Sequence, residues 1–277
     1  MEASKSKTIL IPWDFTGLSE ASLEYASRIA NVTKDRIAMV HILNNGKSEE
    51  EVRSLLEPIV RGAKEKYGIQ PEIILRKGHI YKTITDIASK EMDTSLVIMK
   101  TDGPHGMQRY TGSRAIKIIS GAKVPFIVIQ EPPQKEEIQK IVSPVDFRYE
   151  NKEKLNWILY LRRYYNNKIL LYKPNITDQG LKRNILNNIL FARQTLDKYN
   201  IDYEIHTADG HADFASETIE FAHNSDADLI MIMLSRYIGI TDYLMGVKEQ
   251  KIITNPYKIP VMCLNPRTDL RIYGSFH

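Results

Sequence analysis

Leu96-Val97-Ile98-Met99-Lys100-Thr101-Asp102-Gly103-Pro104-His105-Gly106-Met107-Gln108-Arg109-Tyr110-Thr111-Gly112-Ser113 is the stretch on which the fold turns. Its first four residues form an unbroken apolar run, the pattern of a strand buried on both faces. Glycines at 103, 106 and 112 mark a loop, and Ala115, Ile116, Ile118 and Ile119 then follow helical spacing. A glycine-bearing loop between a strand's carboxyl end and a helix start is where open parallel α/β sheets take their ligands. Glycines let backbone N–H groups come close to an anion, and a helix N-terminus adds about half a positive charge. Ser113 is placed to cap that helix or to donate its hydroxyl. An ordinary strand-to-helix turn reads the same way.

Outward from this stretch the chain alternates. Upstream, Lys7-Thr-Ile-Leu-Ile-Pro-Trp-Asp14-Phe15 is an apolar run ending on a carboxylate, followed by helical spacing at Leu23, Ala26, Ile29 and Ala30, with Thr16 or Ser19 as its cap. Ile37 to Leu43 is a second strand, and Asn44 to Glu51 reads as a loop. Val52 to Tyr67 reads as a helix stopped by Gly68, with Pro58 as a point for a kink or break. Glu72 to Arg76 is a third strand, Gly78-His79 a turn and Thr83 to Lys90 a helix. Leu96 to Met99 and Val124 to Ile129 complete five strands. Such βα alternation implies a parallel sheet covered by helices on both faces. Gln130 to Glu137, with two prolines, reads as a linker.

Beyond it the pattern starts again. Lys140-Ile-Val-Ser-Pro-Val-Asp146-Phe147 echoes the first strand, with Asp146 lying 132 residues after Asp14. Gly210-His211 follows Gly78-His79 by the same 132, and Lys258-Ile-Pro follows Lys123-Val-Pro by 135. Collinear matches at nearly one offset indicate two copies of one domain.

Composition narrows the class. The 277 residues carry 43% hydrophobic and 26% charged side chains, as a globular protein does. No run is long and apolar enough for a membrane span, and the N-terminal apolar run is too short for a secretory signal. The single cysteine, Cys263, leaves no internal disulfide framework and sits in a buried-strand pattern. A cytoplasmic location is expected, with no membrane partner. The net charge of +4 is mild and calls for no nucleic acid. The most basic run, Arg162 to Lys168, reads as the exposed end of a helix, although its tyrosines beside arginines also suit stacking on bases. His211 with Asp209 and Asp213 is explained by a turn and a helix start, so no metal is assigned.

These motifs together resemble the universal stress protein family: the Asp14 and Asp146 strand ends with a proline just before, Val40-His41 on the second strand, the Gly103 to Ser113 loop and the Lys-Val-Pro before strand five. The resemblance covers the chain as two copies. It implies two Rossmann-like domains, 1–132 and 138–277, each a five-stranded parallel sheet flanked by helices. It also implies pairing of the halves as a pseudo-dimer, with a homodimer as a further possibility, and a role in stress response or signalling. Some members bind ATP. Their loop has a glycine, two residues, a second glycine and, after a longer spacer, Gly-Ser or Gly-Thr. Lys100 stands at the first of these positions, Gly103 at the second and Gly112-Ser113 at the closing pair, with Gly106 as a further backbone donor. By the same resemblance Asp14 matches the acidic residue on the ribose or adenine side, and Val40 matches the position lining the base.

The residues both support and oppose that site. A carboxylate at Asp14 suits ribose hydroxyls, and it equally suits capping the following helix. Lys100 and Arg109 add charge for phosphate, whereas Asp102 repels it. In the second half the equivalent segment, Leu234 to Val247, retains only Gly239 and Gly246, with Tyr237, Tyr243 and Met245 as bulky fillers and Val247 in place of the serine. The expectation is therefore an adenine nucleotide, ATP with Mg²⁺, in the first domain, and a second domain for pairing and protein interaction with Asp146 structural. A nucleotide-free interaction scaffold is the alternative. No catalytic residue is assigned. Slow ATP hydrolysis ranks last, because no residue other than Asp14 or His105 offers itself as a general base.

Overall fold

The computed structural model describes residues 6–43, 46–101, 124–132, 134–234 and 242–266. Two compact units divide the chain, Met1–Glu136 and Glu137–His277. In the first, the strands are β1 (Thr8–Pro12), β2 (Arg36–Leu43), β3 (Glu72–Lys77), β4 (Thr94–Lys100) and β5 (Phe126–Ile129). They lie in the order β3-β2-β1-β4-β5, every pair parallel. Ile9, Leu10, Ile11, Val97, Ile98 and Phe126 are wholly buried, as the unbroken apolar runs require of strands covered on both faces. The helices among its described residues are α1 (Gly17–Thr33), α2 (Glu49–Tyr67) and α3 (Ile80–Asp86), the last continued by a π-turn over Ile87–Glu91.

Local chemistry sets most of these boundaries. Gly68 ends α2 at φ 71°, its N–H returning to the Lys64 carbonyl. Two details differ from expectation. The helix starts earlier, at Glu49, because Ser48 and Glu51 form a capping box: the Ser48 hydroxyl accepts from the Glu51 N–H, and the Ser48 N–H donates back to the Glu51 carboxylate. The stretch assigned to a loop thus holds the start of α2. Pro58 breaks nothing; α2 runs through it, with Val52, Leu56 and Ala63 still on one buried face.

The second unit has β6 (Lys140–Pro144), β7 (Lys168–Lys173), β8 (Tyr203–Thr207), β9 (Leu229–Met233) and β10 (Val261–Leu264). Its order, β8-β7-β6-β9-β10, repeats that of the first unit, again all parallel. Its helices are α4 (Lys154–Arg162), α5 (Gln179–Lys198), α6 (Phe214–Asn224) and α7 (Asp242–Ile253). Residues 242–247, read from sequence as the end of a loop, belong to the backbone of α7. In each sheet the first strand has one neighbour reached by going one way along the chain order and another reached after the order reverses. The carboxyl ends of β1 and β4, and of β6 and β9, are the two reversal points, where doubly wound sheets open a crevice.

Candidate functional site

Asp14 leaves β1 at the first crevice. Its Oδ1 accepts from the Thr16 N–H at 3.1 Å, the Thr16 hydroxyl at 2.6 Å and the Ser19 hydroxyl at 2.8 Å. The Thr16 side chain itself makes no cap; the carboxylate three residues before α1 instead fixes the turn that leads into it. The turn forces Phe15 to φ 61°, a left-handed conformation uncommon for a large side chain. Its ring meets the His41 ring edge-on at 4.9 Å, with Lys47 Nζ 5.9 Å from its centre. The end of β1 is pinned to β2 beside it. The Trp13 N–H donates to the Val40 carbonyl at 2.8 Å, and His41 Nδ1 donates to the Trp13 carbonyl at 2.8 Å. A carbonyl only accepts, so Nδ1 carries a proton.

On the other side of β1, Lys100 is the last residue of β4, paired with Ile129 of β5, and the Thr101 N–H donates to the Ile129 carbonyl at 2.9 Å. The sheet thus sets the ends of β1 and β4 side by side, with Asp14 just past the one and Lys100 last in the other, while Val40 lies within β2, paired with Pro12. Val40 is buried. Gly103, Gly106, Gly112 and Ser113 lie outside the described residues. Two polar atoms missed by sequence reasoning flank the same crevice. Trp13 Nε1 and Thr101 Oγ1, on residues 4% and 3% exposed, have no hydrogen-bond partner among the described residues. A buried polar group left so costs about 1–3 kcal/mol. Their only sequence signal is position, one residue past each strand that borders the reversal point.

The second crevice is built differently. Asp146 leaves β6 as Asp14 leaves β1, but its partner is Arg148. Arg148 donates its N–H to Asp146 Oδ1 at 2.9 Å and its Nε–H to Oδ2 at 2.7 Å. The same guanidinium crosses to the end of β9, where Nη2 donates to the Met233 carbonyl at 3.1 Å, and to α7, where Nη1 lies 3.5 Å from Glu249 Oε1. Asn151 Nδ2 donates to Asp146 Oδ1, and Asn188 Nδ2 on α5 holds the turn through the carbonyls of Asp146 and Arg148 at 2.9 and 2.8 Å. Beneath them Lys154, 2% exposed, donates from Nζ to the Pro144 carbonyl. Burial alone would raise the Asp146 carboxyl; the charge and hydrogen bonds of Arg148 outweigh it and hold the group below the usual carboxylate range. Burial dominates at Lys154 and, with Arg148 adding repulsion against the pull of Asp146, brings its ammonium down to about 7. Sequence reading did not single out Arg148 or Lys154. The signal was there: Lys154 shares the i, i+4, i+7 stripe of Ile158 and Leu161, both buried.

Comparison with known proteins finds a likeness in the first unit. Residues 5–130 match the model of the Universal stress protein family. No curated protein matches the chain significantly. Among solved structures, a universal stress protein from Archaeoglobus fulgidus superposes with a TM-score of 0.73 at 15% identity, covering 96% of this chain and 98% of that one. A protein of unknown function from Pseudomonas aeruginosa gives 0.64 at 16% identity, over 97% and 95%. The cytoplasmic domain of a prokaryotic cation chloride cotransporter gives 0.55 at 10% identity, over 97% and 100%. At these identities the likeness is one of fold.

The universal stress protein match stops before the second unit, where the remaining candidate residues lie. Cys263 is buried in β10, and burial raises its thiol far above the ordinary value, so it packs rather than reacts. Arg162 and Arg163 end α4, and Tyr165 beside them is buried, which withdraws one of the two aromatic rings from any stacking role. Asp213 caps α6 through the Ser216 N–H at 3.2 Å and pairs with Lys251 at 2.8 Å; His206 pairs with Glu204 at 2.9 Å. No helix among the described residues is long and apolar enough to cross a membrane.

Proposed function

We propose that the first unit binds an adenine nucleotide, ATP with Mg²⁺, in the crevice between the ends of β1 and β4. The second unit is a diverged copy that takes no nucleotide and serves pairing and interaction. One observation carries the reading: Trp13 Nε1 and Thr101 Oγ1 stand buried and unpartnered among the described residues, on either side of the β1–β4 reversal point. Buried polar groups are ordinarily satisfied, and a pair that is not marks a place where a ligand or water completes the set. Asp14 supplies an acceptor for ribose hydroxyls beside them, Val40 an apolar wall, and Lys100 a cation at the mouth of the Gly103 to Ser113 loop. The glycines from Gly103 to Gly112, and the helix that the sequence predicts after Ser113, would supply donors for phosphate. Binding stabilises the loop and shifts the balance between surfaces that a stress-response partner reads.

The test is a thermal-shift titration with ATP and magnesium on the parent chain and on Gly112→Trp. Mass action stabilises a binder by about 2.7 kcal/mol at a hundredfold excess over Kd. A midpoint that climbs with ATP in the parent and stays flat in the variant supports the site. A climb that survives in Gly112→Trp removes the loop from it. A flat parent titration returns the nucleotide-free scaffold, in which Lys100 and Asp102 have closed the first crevice.

A further inference from the structure

Large apolar side chains left in solvent are unevenly placed in this molecule. Around α5 of the second unit, Leu181, Leu186 and Leu190 are exposed on the helix, with Phe147 and Tyr149 on the turn that Asn188 holds to it. Leu186 and Leu190, 49% and 52% exposed, lie one turn apart and point away from the buried face formed by Ile185, Asn188, Ile189, Ala192 and Leu196. Exposed cations bracket them: Lys182 and Arg183 one turn before Leu186, and Arg193 one turn after Leu190. Lys152 extends the same chemistry, its Nζ 4.5 Å from the Tyr149 ring centre and 4.7 Å from that of Phe191 on α5. Asp197, near the end of this face, accepts from the Tyr203 hydroxyl at 2.9 Å. The helix at the matching place in the first unit, α2, carries one exposed leucine, Leu55, among polar and charged neighbours. Glu50, Ser54, Glu57, Arg61 and Glu65 line its outer side, with the charges mixed.

We infer that the outer face of α5 docks on an anionic lipid surface, with Leu186 and Leu190 entering the acyl boundary and Lys182, Arg183 and Arg193 lying among the head groups. The charge on this face selects an acidic partner, and the spacing selects lipid over an acidic helix. Arg183, Leu186, Leu190 and Arg193 follow the 3-4-3 spacing of a helix–helix seam, but its two ends are cations. A helical partner would gain two apolar layers where a stable seam needs several heptads. A bilayer surface accepts this arrangement, because apolar side chains dip while long cationic stems reach back to the phosphates. A helix lying on a membrane surface needs no spanning segment. The inference stands apart from the nucleotide reading and survives its failure.

Flotation of the intact chain with phosphatidylcholine vesicles, with and without phosphatidylglycerol, tests it. Binding is expected to the anionic vesicles alone and to fall with salt. Each cation removed, as in Lys182→Gln or Arg183→Gln, lowers the partition coefficient by about fivefold. Leu186→Ser with Leu190→Ser lowers it further, while Arg61→Gln on α2 leaves it unchanged. All these positions are exposed, and unchanged melting curves certify the fold of each variant. Equal partitioning onto neutral and anionic vesicles, absence of binding at low salt, or α5 variants that float like the parent would overturn the inference. Binding to soluble polyglutamate without flotation overturns it in favour of an acidic polypeptide partner.

Discussion

At the end of β1, Asp14 is held by one backbone N–H and two hydroxyls of its own turn; at the end of β6, Asp146 is held by a guanidinium that also grips β9 and α7. The strand order around both is the same. The first set of bonds is short-range and closes the turn into α1. The second is long-range and ties together the two strands and the helix that border a reversal point, filling with protein the place where a ligand would bridge them. One fold thus carries two crevices whose strand-end carboxylates are held differently, Asp14 within its own turn and Asp146 by a cation that reaches β9 and α7.

Removing the built-in cation should show the difference most strongly. Arg148→Ala leaves Asp146 and Glu249 without their shared partner in a largely buried setting, and loss of one member of such a pair costs about 3–5 kcal/mol. Trp13 lies in the first unit and Trp157 in the second, so urea unfolding followed by Trp157 fluorescence in a Trp13→Phe background isolates the effect. A loss below about 1 kcal/mol would mean the network behaves like a surface ion pair.

The pH dependence of the second unit follows from Lys154. Its folded pKa, about 7, lies below the ordinary lysine value, so the unfolded chain binds the proton more tightly. Stability therefore rises with pH from about 7 toward the unfolded lysine pKa, by at most about 1.4 kcal/mol per pH unit. Lys154→Met should flatten that rise without destabilising the unit, since an apolar side chain of similar length suits the site. Urea midpoints at neutral and alkaline pH for both proteins decide it, and a variant whose rise equals the parent's would place the titrating group elsewhere.

The smallest effect is expected at Asp14. Its removal costs about 1 kcal/mol, as loss of a capping side chain does. The comparison sharpens because Asp14→Ala should also reduce the ATP-dependent rise in melting midpoint, whereas Asp146→Ala, which destabilises more, should leave that rise intact. Equal ATP responses in the parent and Asp14→Ala would confine Asp14 to its turn.

How far the sequence reaches depends on the range of the interaction that decides each feature. The parallel α/β fold was legible because apolar runs, their 3.6-residue successors and the cap at Gly68 are written within a few residues of each other. The start of α2 was misplaced because the reciprocal Ser48–Glu51 bonds hide inside a polar run that resembles a loop. Asp14 and Val40 were singled out through a resemblance to a family rather than through local chemistry, and only the sheet order sets the strand that Asp14 follows beside β4.

Sequence alone determined the element types, the repeat of the Asp14 pattern at Asp146 and the packing role of Cys263, since each depends on local periodicity and composition. Tertiary structure alone decided that Asp14 turns to its own helix while Asp146 turns to Arg148, and that Lys154 is buried beneath that pair. It also decided that Trp13 and Thr101 keep buried polar atoms without partners among the described residues. The reason is physical: a side chain's hydrogen-bond partners and its dielectric surroundings come from strands and helices distant in sequence, and they exist only once the sheet has placed those elements side by side.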